Sequence, residues 1–346
     1  MKAVMKHARD VGGVGVFDID PPAAPKGDEV LVKIHSAALC GSDVHAYEWI
    51  ESYQSFMHVP VVLGHEGSGI VEAVGENVKG FKAGDRVMGE SNIYCGTCRN
   101  CHQGMTHICD NNLMRGLTAP GVMRERVIWS EKNLHHVPKN LSFAEGAAAQ
   151  AMTVSVHGIV SRINIKPGDA VLVSGVGIIG LGAAQLARAC GAVVVMTGVD
   201  ADEETRIPMA KSMGFDTFNC QKEDPVEGFI KRARSKADFS IECSGATTAF
   251  LGGLAATRKG GSMLLLGLPV KTVNFPFANA IRNEINLITS YTSGWSDYEK
   301  TLTLIESGGL NIKPLLSYYS IDKAVQAFED AVSKVAIKPI LQFVAE

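Results

Sequence analysis

The sequence predicts an α/β protein in which a β-rich domain accompanies a doubly wound parallel sheet with helices on both faces. Three observations carry this reading. The first 150 or so residues are punctuated by glycine and proline and hold short alternating runs. From about residue 154, near-continuous apolar strands alternate with helical stretches, as a parallel sheet covered on both sides requires. One of those strands, 170–174, runs straight into Gly175-x-Gly177-x-x-Gly180 and a helix that continues to Ala189, which is the order of a nucleotide-binding strand–turn–helix unit.

Composition bounds the answer. A chain of 346 residues that is 46% hydrophobic can bury a large core and should form about two domains. A net charge of −3 leaves no basic excess for nucleic acid. The opening MKAVMKHARDVGG lacks the apolar core of a signal peptide, and no long uninterrupted apolar run appears, so a cytoplasmic protein is expected. Cys190, Cys220 and Cys243 are scattered and read as reduced core thiols.

In the β-rich half, strands are expected at 29–34, 69–74 and Arg86–Gly89, joined by turns at Lys26-Gly27-Asp28, Gly75-Glu76-Asn77 and Ala83-Gly84-Asp85. Two short motifs lie among them, Leu39-Cys40-Gly41-Ser42-Asp43-Val44-His45 and Gly64-His65-Glu66-Gly67. Cys40, His65 and Glu66 offer a thiolate, an imidazole and a carboxylate, a set that leaves one tetrahedral zinc position open for water or substrate. Singly, each has a plainer reading: a small buried thiol, a strand histidine, a surface acid. Next come Cys95, Cys98, Cys101 and Cys109, spaced C-x2-C-x2-C-x7-C, which can close around a second, structural zinc with Gly96 and Gly104 relieving the turns. Two disulfides or an iron–sulfur cluster fit less well, because a C-x2-C loop bridges poorly and Asp110, not proline, follows the last cysteine.

The sheet half opens at Lys166-Pro167-Gly168-Asp169. Its remaining strands are expected at 193–197, 239–243, 263–268 and 285–290. Gly175, Gly177 and Gly180, with Ile178 and Ile179 at the helix start, are the expected dinucleotide contacts, and the helix N-terminus favours the phosphates. Gly267, Leu268 and Ser290, at the far strand ends, complete the cofactor set. The second strand ends Thr197-Gly198-Val199-Asp200, with glycine where an acid for the ribose is expected. Asp200 reaching the ribose favours NAD, whereas Gly198 with Arg206 suits the 2′-phosphate of NADP; NAD is the preferred reading. After a helix over 297–306 and a break at Pro314, an amphipathic stretch, 322–332, and a strand, 339–344, close the chain.

These motifs together resemble the zinc-dependent medium-chain dehydrogenases/reductases. CGSDVH, GHEGSG, the four-cysteine loop, KPGD, the glycine fingerprint, FSIECSG and IKP occur in that family's order across essentially the whole chain. CGSDVH followed by LGHEGSG is similar to sorbitol dehydrogenases, while Tyr47-Glu48-Trp49, Glu51 and Gln54 look more like threonine 3-dehydrogenases. The resemblance implies a chaperonin-10-like catalytic domain of residues 1–153 and 290–346, carrying the zinc loop 95–109, around a Rossmann domain of residues 154–289. It also implies two zinc ions per subunit, a homo-oligomer (tetramer or dimer) and oxidation of a secondary alcohol, a polyol or sugar alcohol first and threonine second. A catalytically silent zinc- or nucleotide-binding regulatory protein is the reading from a different class.

Within the resemblance, zinc makes the substrate hydroxyl acidic, hydride passes to the nicotinamide, and Ser42 and His45 match the family's proton relay. Asp43 is expected to orient the ring of His65, with a helix cap as its alternative. Two departures stand out. Before His157, where the relatives carry Glu-Pro, this chain has Gln150-Ala151, so a neutral amide sits near the catalytic zinc in place of a carboxylate. The segment 116–121 lacks an acid between its glycines, and Arg124 and Arg126 follow; surface charge is the preferred reading of these arginines over contact with an anionic substrate.

Overall fold

The computed structural model describes residues 1–344. The chain divides into two compact units, Met1–Ala151 with Gly294–Glu346, and Met152–Ser293. The first is built on a seven-stranded sheet and the second on six strands. Among the described residues no helix is long and apolar enough to cross a membrane.

The strand Glu29–Ala38 organises the first unit. Its side chains alternate between buried and half-buried before the last three are all buried, as expected of a strand whose end enters the core. On one side it pairs antiparallel with Glu66–Val74, setting Ala38 opposite Glu66. On the other, Arg126–Ser130 covers its first half and the C-terminal strand Lys338–Gln342 its end, with Ile340 opposite Ala38. Trp129, fully buried, fills the core beside Val30, Val32 and Ile34. Removing such a side chain typically costs about 3–5 kcal/mol. Gly89 is dictated by it, because a Cβ there would lie 2.1 Å from the indole.

Helix Trp295–Glu306 is fastened to this sheet by a buried polar cluster. His135, on the strand Leu134–His136, has Nε2 3.2 Å from Glu90 Oε1 and Nδ1 2.5 Å from Glu299 Oε1. Its ring stacks on Tyr298 at 4.8 Å and 4°, with Trp295 at 5.2 Å.

The second unit holds six parallel strands in the order Asp216–Asn219, Val193–Gly198, Ala170–Ser174, Ala237–Glu242, Thr257–Leu265, Asn286–Thr289. Counted along the sequence this is the 3-2-1-4-5-6 arrangement of a dinucleotide-binding sheet. The sequence pattern shows five of these strands. The sixth, Asp216–Asn219, is a short, partly polar edge strand with no apolar run to mark it. Cys190 is exposed, contrary to the core position expected of it, because it ends the helix Ile178–Ala189 at the surface; Cys220 and Cys243 are half-buried.

Burial alone would lower the pKa of His135, but hydrogen bonds to Glu299 and Glu90 raise it above the usual histidine value. The stabilisation it gives is therefore complete below about pH 6.5 and lost as pH rises through the raised folded-state value. In acid it fades as Glu299, held low by His135, takes up a proton. The melting-temperature gap between the parent and His135→Gln should thus be widest in mildly acidic buffer and shrink in alkali. A gap independent of pH would mean that His135 acts only by stacking on Tyr298.

Candidate functional site

Cys40 follows the strand Glu29–Ala38 and caps the helix Gly41–Glu48 in extended conformation. Asp43, fully buried in that helix, accepts from Cys40 N at 2.9 Å through Oδ2 and from Gly64 N at 3.1 Å through Oδ1. One carboxylate thus ties together the two backbone segments that deliver Cys40 and His65. This corrects the expectation that Asp43 holds the His65 ring: both oxygens go to backbone N–H groups, and the helix cap is the role seen. Gly64 has φ +85°, and a Cβ would strike Met123 at 2.5 Å. Gly116 and Gly121 answer the same crowding, since a Cβ on either would sit 2.6 Å from Gly64 N or 2.2 Å from Leu63 O.

Ligand atoms of Cys40, His65 and Glu66 lie within 4.8 Å of one another. The surroundings fit a cation. His65 Nδ1 is buried without a hydrogen-bond partner. Burial should lower the His65 pKa, yet the Cys40 sulfur, Asp43 and Glu66 push it up to about 9, so the pocket's negative charge favours a positive occupant. Glu66 is not isolated: Lys338 Nζ lies 2.6 Å from Oε1 and 2.5 Å from Oε2, and it also donates to Leu39 O at 2.8 Å. Both side chains of this pair are buried. The sequence reading missed Lys338, although the IKP motif that carries it was visible; its partner lies 272 positions away.

Ser42 Oγ and His45 Nδ1 are buried atoms without hydrogen-bond partners, and burial lowers the His45 pKa against the opposing Glu48. Gln150, buried in the helix Phe143–Val156, donates from Nε2 to Ser91 Oγ at 3.2 Å. His157 is buried just beyond that helix, in the second unit. Arg126 grips Glu72 at 2.6 and 3.0 Å. Arg124 is half-buried, less open than the surface charge expected of it, and burial lowers its pKa.

The four-cysteine loop forms a second cluster, again with ligand atoms within 4.8 Å. Sulfur separations are 3.5 Å for Cys95–Cys109, 3.9 Å for Cys98–Cys109 and 4.0 Å for Cys95–Cys101. Disulfides need about 2.05 Å. The edge of a tetrahedron with metal–sulfur bonds of about 2.3 Å is about 3.8 Å, which matches. Backbone N–H groups of Thr97 and Cys98 donate to Cys95 Sγ, and the Thr97 N–H leads in holding that thiol down at about 5. Gly96 and Gly104 take φ of +77° and +78°.

In the second unit, the expected cofactor residues sit at the C-terminal ends of the strands. Gly175, φ +110°, leaves Ala170–Ser174, and Gly180 packs so closely that a Cβ would lie 2.0 Å from Gly175 O. Gly177 caps the helix Ile178–Ala189, so Ile178 and Ile179 form its first turn, and the space around Gly177 is open. Gly267 and Leu268 follow Thr257–Leu265, and Ser290 follows Asn286–Thr289. Asp200 is exposed after the second strand; Oδ1 accepts from Asn219 Nδ2 at 2.7 Å, and its N–H donates to Gln221. Arg206 faces Asp202 at 3.7 Å.

Residues 26–139 match the family model of the alcohol dehydrogenase GroES-like domain, and residues 179–307 that of the zinc-binding dehydrogenases. The L-threonine 3-dehydrogenase of Escherichia coli K12 is 35% identical over 348 residues, covering 99% of this chain and 100% of that one. A zinc-binding dehydrogenase from Sinorhizobium meliloti, solved with NADP, superposes with a TM-score of 0.89 at 27% identity, covering 99% of this chain and 98% of that one. Galactitol-1-phosphate dehydrogenase from Escherichia coli gives 0.88 at 26% identity, over 99% and 100% of the two chains.

Asp43→Ala should leave two buried backbone N–H groups unpaired and cost about 1–3 kcal/mol, measured by urea unfolding. Unchanged stability would show that the N–H groups of Cys40 and Gly64 find other acceptors.

Proposed function

Because the chain belongs to the zinc-dependent medium-chain dehydrogenase family, we propose that it oxidises a secondary alcohol, a polyol or sugar alcohol in the first instance, with NAD as hydride acceptor. The observation that carries this is the gathering of Cys40, His65 and Glu66 next in sequence to Ser42 and His45. That intact set does not favour a silent regulatory protein.

Cys40, His65 and Glu66 would hold a zinc ion, whose Lewis acidity would make a bound hydroxyl proton acidic, and a bound nicotinamide would supply the hydride acceptor. The protein's own part is to hold the donors and remove the proton. Asp43 fixes the backbone on which Cys40 and His65 stand. Ser42 accepts the substrate proton as it passes its own to His45, whose lowered pKa keeps the ring neutral and receptive near pH 7. The half-exposed ring then releases that proton to solvent. In balance, the alcohol loses a hydride from carbon and a proton from oxygen.

The four-cysteine loop is the proposed structural zinc site, giving two ions per subunit. NAD is favoured by the exposed Asp200 carboxylate and by Arg206 being turned to Asp202; the NADP-bound neighbour keeps the other cofactor in the test. The threonine 3-dehydrogenase relatives support L-threonine as a second substrate reading. A homo-oligomer, tetramer or dimer, suits the exposed apolar Phe277, Ile281 and Leu287 around the edge strand Asn286–Thr289. A cytoplasmic location belongs to the same reading, since thiolate sites need reduced cysteines.

A panel of polyols and L-threonine, each assayed with NAD and with NADP, tests the function directly; turnover of none of them would overturn it. Mild chelation should remove one zinc and activity together while a second ion is retained. Cys40→Ser should abolish turnover in a folded protein, and Cys98→Ser should chiefly impair folding. A single zinc at full activity would refute the two-site reading.

If Asp200 bonds the ribose hydroxyls, Asp200→Ala should weaken NAD roughly ten- to a hundredfold and narrow the gap to NADP. Unchanged NAD kinetics would place Asp200 outside the site. A native preference for NADP that vanishes in Arg206→Ala would establish the rival cofactor.

A further inference from the structure

Asp200 leaves the strand Val193–Gly198 beside the glycine turn, since a Cβ on Gly198 would lie 3.0 Å from a methyl of Val176. It does not stand there alone. Asn219, paired with Gly198 on the neighbouring strand and 8% exposed, donates from Nδ2 to Asp200 Oδ1 at 2.7 Å and to Glu203 Oε1 at 2.8 Å. Its amide has one possible orientation, because carboxylates only accept and Asn219 Oδ1 accepts from the Gln221 backbone N–H at 2.9 Å. Gln221 Oε1 in turn accepts from the Asp200 backbone N–H at 2.7 Å. Two nearby cations are occupied by acids: Lys222 Nζ lies 2.6 Å from Glu203 Oε2, and Arg206 lies 3.7 Å from Asp202.

One amide thus gathers two carboxylates that would otherwise repel each other. Among the described residues nothing bonds Asp200 Oδ2, which is left as an acceptor on the exposed end of the sheet. We propose that Asn219 is a positioning residue and Glu203 a second specificity residue of the cofactor site: the amide binds Asp200 and Glu203 into one acidic station, which accepts from an unphosphorylated ribose and repels a 2′-phosphate. This rests on the reading that Asp200 faces the adenosine ribose. Asp200 supplies the acceptor, and Asn219 keeps it from swinging into solvent. Glu203 acts twice, adding negative charge through Oε1 and holding the Lys222 ammonium away from an incoming phosphate through Oε2. With Glu203 made neutral, Lys222 is released to offset Asp200. Cofactor choice is then shared among residues of two strand ends.

The test measures dissociation constants of NADH and NADPH for the full-length protein by nicotinamide fluorescence, with no alcohol present. Asp200→Ala establishes whether the acid faces the ribose and should shift the ratio of the two constants towards NADPH. Asn219→Ala should weaken NADH roughly three- to tenfold and change NADPH less. Glu203→Gln, which removes a charge and frees Lys222, should tighten NADPH roughly three- to tenfold, and it stands in should Asn219→Ala fail to fold. A purely structural role would weaken both cofactors alike and leave the ratio where it was. A ratio that moves in Asp200→Ala but stays fixed in a folded Asn219→Ala or in Glu203→Gln overturns the role of the residue that left it fixed, with Asp200 still at the ribose. A ratio that moves in none of the three takes Asp200 away from the ribose and the proposal with it.

Discussion

The buried pair between Glu66 and Lys338 is the constraint on which the catalytic unit turns. Neither charge is tolerable alone in that interior; removing one partner of such a pair costs about 3–5 kcal/mol. The two residues lie on the strands that flank the end of Glu29–Ala38, one paired through Ala38 with Glu66 and the other through Ala38 with Ile340. Satisfying both charges therefore requires the C-terminal strand to return beside residues laid down at the start of the chain. Lys338 also binds Leu39 O, next to Cys40, so the same ammonium steadies both segments that carry the candidate ligands. Chain topology, strand register and ligand placement are here three expressions of one electrostatic requirement.

Close approach of backbones is the second theme. Gly64, Gly116 and Gly121 let two segments meet where no side chain fits, and Asp43 then locks Gly64 to Cys40. In the other unit, Gly175 and Gly180 do the same for the first strand and its helix. Glycine at these points is a matter of distance as much as of dihedral angle: Gly180 has no unusual φ, yet it would collide with Gly175 O.

What could be read from the sequence divides along the same physical line. The strand Ala170–Ser174, the helix Ile178–Ala189 and the strand Arg86–Gly89 were legible because periodicity and turn residues are local signals. The cysteine spacing was legible because a fifteen-residue loop must bring its own sulfurs together. Lys338, Tyr298 and His135 were not, since nothing near them in sequence announces a buried partner 272, 207 or 45 positions away. Asp43 was noticed but given the wrong partner, because a capping carboxylate and one that orients an imidazole look identical in one dimension. Asp216–Asn219 escaped because an edge strand needs few apolar residues.

Thr153 and Ser293, at the two ends of the dinucleotide-binding unit, are joined hydroxyl to hydroxyl at 2.6 Å. A module whose entry and exit lie side by side interrupts its host at a single point, so it can be inserted, excised or replaced without tearing a sheet. The catalytic unit likewise closes on itself through strands from both chain termini. A gene encoding this chain can therefore exchange this central unit as a cassette, and cofactor preference can evolve by recombination independently of the alcohol chemistry.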